Sequence, residues 1–222
     1  MSALQDPPDG DHLAGGSDSS AGPEGAEGAE GETKGARTRR RLLELAIERF
    51  GERGYRSTSV SEIARAGGLT QAAVYAYFDG KEDLFDAAVD ADADAVISEI
   101  RERLEHVDPR MLIPSFLFVA LGSLDAHPLV RRVLAGDEKP ALQRLLNLPA
   151  LGRLTDWLAT ELRRGQSDGS VRADIDPAVV ADGAESLLLG LLMAVVQVGG
   201  THEHRRQVGV LALFDAALRP SG

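Results

Sequence analysis

Apolar residues from position 37 to the C-terminal end recur every three or four positions, which is the spacing of amphipathic helices. The first such segment has one apolar face, formed by Leu42, Leu45, Ala46 and Phe50. Gly51 and Gly54 follow and are predicted to end this helix. No stretch alternates apolar and polar residues as a half-buried strand does, and no Asn-Gly or Asp-Gly pair joins two strand-like runs. The chain is therefore predicted to be all-α.

A short second helix is predicted over about residues 60–66. Ser59 and Glu62 have the spacing of a capping box, in which each side chain pairs with a free backbone amide at the start of the helix. Gly67 and Gly68 are predicted to end it.

A third short helix follows, capped by Thr70 and running to about Tyr77, where an Asp-Gly pair interrupts the pattern. A long fourth helix is predicted from Lys81 onward. Two short helices joined by a glycine turn form a helix-turn-helix, here over about residues 58–77. In this motif the second short helix enters the major groove of DNA.

Periodicity divides the motif into an inner and an outer face. The inner face is formed by Ile63, Ala64, Leu69, Val74 and Phe78, and the outer face of the third helix by Gln71, Ala72, Tyr75 and Ala76. Small residues allow a close approach to the bases, and the amide of Gln71 can pair with an adenine edge. Tyrosine hydroxyls and a lysine at a helix start suit phosphates. Periodicity alone leaves open whether Tyr75 and Tyr77 are instead buried with satisfied hydroxyls.

The rest of the chain also consists of helical segments. Asp-Pro and His-Pro pairs mark three starts, at Pro109, Pro128 and Pro177, because proline at the first helical position lacks only an amide that would have no partner. Pro114 lies inside a helix-like run and predicts a kink or a late start. Residues 165–170 are predicted to be a loop, and the last helix is expected over about residues 202–218.

The formal net charge of −11 is unevenly distributed along the chain. Residues 1–34 are acidic, rich in Gly, Ala, Ser and Pro, and predicted to be a disordered tail. This tail either is simply solvated or competes with phosphates for the basic segment. Residues 37–83 carry nine basic and seven acidic side chains and form the net-basic segment that contains the helix-turn-helix. The charge pattern therefore permits nucleic-acid binding there despite the acidic total.

The composition gives little support to an enzyme. The chain has no cysteine, which excludes disulfides and thiolate metal sites and fits a reducing cytoplasm. The histidines at 202 and 204 are two positions apart, which does not direct both rings at one metal ion, and there is no phosphate-binding loop, dinucleotide fingerprint or nucleophile elbow. We expect no catalytic site, no metal and no cofactor. No apolar run reaches the roughly 18 residues of a membrane span, so no membrane partner is expected.

The residues of the helix-turn-helix resemble the N-terminal signature of the TetR family of bacterial transcriptional regulators. The matching positions are Phe50, Gly54-Tyr55, Thr58, Val60, Ile63-Ala64, Ala66-Gly67, Thr70, Val74-Tyr75, Tyr77-Phe78, Lys81-Glu82 and Leu84. The resemblance covers roughly residues 37–90 and is specific as a joint pattern. One departure is Ala72-Ala73, where the family often has a Gly-Thr pair, so the contact usually made by that threonine is not expected here.

The resemblance implies a set of DNA contacts. Phosphate contacts are expected from Tyr75, Tyr77 and Lys81, and base contacts from Gln71 and Ala72, with Thr70 and Ala76 on the same surface. Ser59 and Ser61 lie at the backbone-facing start of the second helix. Arg37 and Arg40 belong to a basic run that either reaches phosphates or a minor groove or is only solvated.

The resemblance also implies a DNA-binding domain over residues 35–95 and an effector-binding and dimerisation domain over residues 96–222. One module reads few base pairs, so a homodimer on a two-fold site of double-stranded DNA is expected. Its interface is predicted on two C-terminal helices, although packing within one subunit is the alternative; the candidate residues are Leu151, Leu158, Gly183, Leu187, Gly190 and Ala194.

A small apolar or amphipathic effector is expected in the second domain. The candidate lining residues are Phe116, Phe118, Trp157 and Met193, with Gln197 or His127 as the polar group. The expected function is that of a cytoplasmic TetR-type repressor released from its operator by the effector. An effector-independent DNA-binding protein or an activator remains the alternative.

Overall fold

Every regular element in the described part of the chain is a helix, as predicted. The computed structural model describes residues 33–138, 141, 145–198 and 204–220. The acidic tail up to residue 32, and the histidine and glutamate at 202 and 203, lie outside the described residues. The helices are α1 (Lys34–Ser57), α2 (Val60–Ala66), α3 (Gln71–Tyr75), α4 (Lys81–Arg103), α5 (Leu112–Ser123), α6 (Pro128–Leu134), α7 (Pro149–Asp168), α8 (Pro177–Val198) and α9 (His204–Leu218). Short 3-10 turns occupy Pro109–Met111 and Leu145–Asn147.

The first four helices pack around one apolar core. It contains the predicted face of α1 and the inward residues of α2 and α3, together with the start of α4: Leu42, Leu45, Ala46, Phe50, Ile63, Ala64, Val74, Phe78, Leu84 and Phe85 are all buried. The rings of Phe50 and Phe85 meet edge to face, with centroids 5.0 Å apart. Tyr55 adds a third ring 5.0 Å from Phe85. This aromatic cluster fastens the end of α1 to the start of α4.

Two glycines were wrongly predicted to end a helix or lie in a loop. Gly51 lies inside α1, and Gly165 lies inside α7, which continues to Asp168. A Cβ atom on Gly51 would lie 3.0 Å from Cγ of Pro128, and one on Gly165 would lie 2.5 Å from Cγ2 of Val171. Both glycines therefore serve close packing between elements, which a search for local helix breakers cannot distinguish from a helix end.

Proline starts helices as predicted. Pro128 and Pro177 are the first residues of α6 and α8, and Pro109 begins a 3-10 turn capped by the carboxylate of Asp108. Because that turn precedes α5, Pro114 falls in the first turn of α5. The late start is thus the correct alternative to a kink.

Three aspartates on α4 fasten neighbouring helix starts to it. Asp92 is almost fully buried; its carboxylate lies 2.7 Å from Nδ1 of His127 and accepts the backbone amide of Val130 at 3.0 Å. Asp90 accepts the backbone amide of Ala150 at 2.7 Å. Asp94 pairs with Arg153 at 2.7 Å. The first two contacts satisfy free amides at the starts of α6 and α7, where negative charge is favourable.

We expect Asp92→Asn to lower the free energy of unfolding by about 2 kcal/mol, because a charged, buried acceptor between α4 and α6 is replaced by a neutral amide, which forms weaker hydrogen bonds with His127 and the amide of Val130. Urea denaturation followed by circular dichroism measures this. Asp94→Asn is the matched control on the same helix. Its ion pair with Arg153 is nearly half exposed, so its loss should change stability by about 0.5 kcal/mol or less. Equal effects of the two changes would contradict the role assigned to Asp92.

The helix α8 is, in the described part of the chain, long and apolar enough to cross a membrane by length and composition. The segments Pro109–Ser123 and Pro128–Leu134 are long and apolar enough to cross a membrane only when they are taken together as one span, and they lie at 112° to each other. However, α8 packs against α5, α6 and α7. Its buried residues, Ala181, Ala184, Leu188 and Leu192, form one stripe on that side. The composition of α8 is therefore that of a helix buried on one face within the bundle.

Candidate nucleic-acid interface

The start of α2 is held by the predicted capping box. The hydroxyl of Ser59 accepts the backbone amide of Glu62 at 3.2 Å, and the carboxylate of Glu62 accepts the backbone amide of Ser59 at 2.9 Å. Hydrogen bonds from the backbone and the hydroxyl of Ser59 lower the pKa of Glu62, and the charge of Arg53, 3.5 Å away, lowers it further. Ser61 is exposed beside Ser59, with the two hydroxyl oxygens 3.0 Å apart. The predicted backbone-facing pair thus lies together at the surface.

The turn between α2 and α3 requires its glycines. Gly68 has φ +68°, in the left-handed region. A Cβ on Gly67 would lie 3.1 Å from Cδ1 of Leu45. The next residue, Leu69, donates its amide to the carbonyl of Ala64 at 2.8 Å and so closes the turn. This places α3 at a set angle on the core formed by α1.

The helix α3 presents a polar and small surface to solvent. Thr70 caps it by accepting the amide of Ala73 at 3.2 Å, and the helix ends at Tyr75, with Tyr77 in the following turn. Val74 points into the core, whereas the outward positions are exposed: Thr70, Gln71, Ala72, Tyr75 and Ala76. Tyr75 is 47% exposed, which decides against the buried alternative for this residue. The side-chain amide nitrogen of Gln71 donates to the hydroxyl of Tyr75 at 3.1 Å, so the two longest side chains of this face are held together.

The start of α4 carries the predicted lysine beside an aromatic ring. Nζ of Lys81 lies 4.3 Å from the ring centroid of Tyr55, a cation–π distance. Tyr77 is half-buried and packs against the core, so its ring is fixed while part of it remains accessible. The contact with Tyr55 holds the lysine at the start of α4 against the end of α1.

The basic run at the start of α1 lies next to this surface. Arg37 and Arg40 are exposed, and Nε of Arg40 is 4.0 Å from the carboxylate of Glu44. Arg39 belongs to the same basic run, which the sequence left open between phosphate contact and solvation, and its guanidinium lies 5.1 Å from the ring centroid of Phe78. The signal that could have indicated it is the helical phase, since position 39 precedes the buried Leu42 and Leu43 by three and four residues.

A largely apolar cavity lies further along the chain, among α4, α5, α6, α7 and α8. The cavity is small, about 70 Å³, and is partly open to solvent. Of the predicted effector residues, Phe116 lines it. Phe118, two residues further along α5, is 45% exposed on the opposite side of that helix, so its assignment to the lining is wrong. The phase of α5 decides this, because two residues correspond to about 200° of rotation.

The other predicted lining residues also lie elsewhere. Trp157 is half-buried beside Arg101, whose guanidinium is 5.8 Å from its ring centroid. Gln197 donates to the carbonyl oxygen of Leu134 at 2.8 Å. Met193 packs against the core without lining the cavity. The suggested polar group His127 is engaged by Asp92. The charged residue in the lining is Glu185, which the sequence analysis missed.

The predicted dimer residues divide between the core and the surface. Leu158 is 1% exposed, so its assignment to an interface is wrong, and Leu154 and Leu162 of the same stripe are buried with it. Leu151 is half-buried and lines the cavity. The predicted residues on α8, by contrast, are exposed, and with Val179 and Val198 they form a single stripe spaced by three or four positions: Val179, Gly183, Leu187, Gly190, Ala194 and Val198. Leu213 on α9 is 72% exposed.

Comparison with known proteins identifies the family. Residues 42–88 match the family described as bacterial regulatory proteins, tetR family. The HTH-type transcriptional repressor KstR2 of Rhodococcus jostii strain RHA1 is 31% identical over 153 residues, which cover 65% of this chain and 74% of that protein. The chain belongs to the TetR family. The HTH-type transcriptional regulator UidR of Escherichia coli strain K12 is 24% identical over 192 residues, covering 86% of this chain and 97% of UidR.

The fold agrees with this membership. A protein of Mesorhizobium loti MAFF303099 assigned to the TetR family of transcriptional regulators has a similar structure, with a TM-score of 0.63 and 23% identity over 85% of this chain and all of that one. The resemblance seen in the sequence is thereby confirmed. The relatives are transcriptional regulators, and regulators of the TetR family bind double-stranded DNA and act as dimers.

Proposed function

We propose that this TetR-family protein is a homodimeric repressor that binds a two-fold DNA site through α3 and leaves it when a small effector occupies the cavity. The observation that carries the DNA-binding part is the exposed face of α3. The apolar side of α3 packs against the core, whereas its outward side presents hydrogen-bonding groups and small residues to solvent. A recognition helix requires this division.

The exposed residues suit two kinds of contact. Gln71 can reach a base edge, and Ala72 and Ala76 allow the helix to come close to the groove floor. Phosphate contacts are assigned to the surrounding groups that carry hydroxyls or positive charge: Arg37, Arg40, Ser59, Ser61, Thr70, Tyr75, Tyr77 and Lys81. Phosphate contacts position the protein, whereas base contacts supply specificity. The net-basic composition of residues 37–83 supports this assignment against the acidic total.

Two functional regions follow from this assignment, a DNA-binding region over residues 35–95 and an effector-binding and dimerisation region over residues 96–222. The helix α4 crosses the boundary between them. Residues of α4 line the cavity, and its first turn carries Lys81 beside the recognition surface. A ligand that shifts α4 therefore also shifts the groups facing DNA.

A second connection runs through α6. Its residues Val130, Val133 and Leu134 line the cavity, and its first residue, Pro128, packs against Gly51 of α1. Because a ligand changes an equilibrium only by its differential affinity for two states, it must prefer one position of α4 and α6. The alternative, an effector-independent DNA-binding protein or an activator, has no use for this cavity. The effect of ligand on operator affinity, and the position of the operator relative to a promoter, separate the two.

The proposed dimer interface is the exposed stripe of α8 together with the outer face of α9. A Cβ atom added to Gly183 or Gly190 would have no neighbouring atom within 4 Å, so the surface is open there and another helix can approach closely. A contiguous apolar surface of this kind is characteristic of an interface. A regulator of this type acts on the chromosome in the cytoplasm.

The DNA surface can be tested with sequences selected by the wild-type protein from a random double-stranded library. In fluorescence anisotropy, Tyr77→Phe and Lys81→Ala should weaken binding by about fivefold to tenfold for all selected sequences alike, since they remove phosphate contacts, and Lys81→Ala should reduce the salt slope by about one. Gln71→Ala should instead relax the preference at one base position by about 1 kcal/mol or more.

Thr160→Ala, which removes an exposed hydroxyl on α7, is the control and should bind like the wild type. If all three variants in the helix-turn-helix keep both affinity and sequence preference, the assigned surface does not contact DNA.

A further inference from the structure

The cavity has one charged side chain in its lining. Of the eighteen described residues around it, seventeen are apolar and the exception is Glu185. This glutamate lies on α8 between Ala181 and Leu188, on the stripe that faces the bundle. The described lining contains no basic side chain. A carboxyl group thus enters an otherwise hydrocarbon space.

Glu185 is partly buried, and one of its two carboxylate oxygens lacks the partner that a buried acceptor normally has. Its Oε1 atom is removed from solvent and meets no hydrogen-bond donor in the part of the chain that the structure describes. Burial raises the pKa of this carboxyl, and the nearby charge of Asp182 raises it further. The pKa direction and the missing donor both show an acceptor that the protein itself leaves unsatisfied.

The two acids that are fully buried in the described part of the chain behave differently. Asp92 is bound by His127 and the amide of Val130. Glu138 accepts the backbone amide of Tyr55 and Nε of Arg132. These acids have structural roles, and each is paired as such roles require. Glu185 makes no comparable contact. Removing its Oε1 atom from solvent therefore lowers the stability of the fold, and no hydrogen bond within the subunit offsets that loss. A ligand with a donor is the partner that the geometry lacks.

We propose that Glu185 is the recognition group for a hydrophobic amine, whose apolar body enters the cavity from its open side while its ammonium group donates to Oε1. This deepens, and rests on, the proposed role of the cavity as the effector site. An ammonium is preferred over a hydroxyl because a charge-assisted hydrogen bond in an apolar surrounding is the stronger one. A carboxylate of the same size is disfavoured, because it places two negative charges together in a site without a basic residue.

The test compares three probes with one apolar body: 4-phenylbutylamine, 4-phenylbutanol and 4-phenylbutyrate. Isothermal titration calorimetry on the full-length protein, without DNA, should show the amine binding about tenfold more tightly than the alcohol, with the carboxylate weakest. Glu185→Gln is isosteric and should weaken amine binding about tenfold while leaving the alcohol nearly unchanged. Thermal unfolding of this variant verifies that it is folded.

Asp182→Asn is the matched control, an exposed acid one turn earlier on α8. Because its charge acts on Glu185 only from a distance, it should leave the amine bound more tightly than the alcohol, which separates a direct contact from the general negative field of the helix. Equal affinities of amine and alcohol for the wild type, or an unchanged ratio in Glu185→Gln, would overturn the assignment.

DNA release is measured separately, by anisotropy of a selected operator with added 4-phenylbutylamine. Binding that depends on Glu185 but does not release DNA supports the amine site and contradicts the effector-controlled part of the proposed function. Loss of the amine preference with DNA binding intact overturns the amine site alone.

Discussion

Leu187→Glu is expected to convert the protein into a monomer and to weaken operator binding by about 100-fold or more. In a dimer, binding of one subunit to its half-site places the second subunit beside the other half-site at a high effective concentration. A monomer loses this advantage. Leu187 is 58% exposed and lies at the middle of the apolar stripe on α8. A glutamate there would be repeated on both subunits of a two-fold interface, so two unpaired charges would be desolvated close together. Analytical ultracentrifugation at micromolar concentration measures the mass, and anisotropy measures operator affinity.

Leu187→Met is the control at the same position. It conserves volume and apolar character, so the dimer and operator affinity should persist. The side chain makes little contact within its own subunit, and both variants should therefore unfold at similar urea concentrations. A dimer of unchanged stability in Leu187→Glu would show that the stripe of α8 is not the interface.

Gly54→Ala is expected to lower the free energy of unfolding by about 3 kcal/mol. Gly54 has φ +79° and ψ 168°, a region that is nearly restricted to glycine. A Cβ atom there would lie 2.6 Å from Oε1 of Glu138 and 2.9 Å from Nη2 of Arg132. The methyl group would therefore press on the partly buried ion pair between Arg132 of α6 and Glu138. Oε1 of Glu138 also accepts the backbone amide of Tyr55 and so joins the end of α1 to the residues after α6. Urea denaturation measures the loss.

Gly68→Ala is the control. Gly68 also has a positive φ, but a Cβ atom added there would have no neighbouring atom within 4 Å. Only backbone strain remains there, and we expect a cost of about 1 kcal/mol. The difference between the two variants contains the contact with Glu138 and Arg132 together with the greater backbone strain at Gly54. If both variants lose the same stability, that contact does not hold α1.

The DNA-binding head could be predicted in detail because its signals are local. The capping box of Ser59 and Glu62, the glycine turn and the cap at Thr70 each act within a few residues, and all are present. The inward residues Val74 and Phe78 follow from the helical period. The outward face of α3 is then what remains, which is why its residues were assigned correctly to the surface.

The cavity and the apolar surface could not be predicted in the same way. Leu158 and Leu187 are both apolar residues on amphipathic helices, yet one is buried and the other is 58% exposed. A stripe shows that a helix has an apolar face, but not which neighbour covers it. Glu185 was missed because a glutamate within a helix is normally solvated. Its position four residues after Ala181 and three before Leu188 was the available signal.

The sequence by itself determined that this protein is all-helical, where its helix-turn-helix lies and to which family it belongs, since these depend on short-range spacing and capping. The tertiary structure alone decided why Gly51 and Gly165 occur within helices, which helix faces remain uncovered, and that Glu185 enters an apolar cavity without a partner. The physical reason is that burial and pairing depend on elements far apart in the chain, whose contacts no local period encodes.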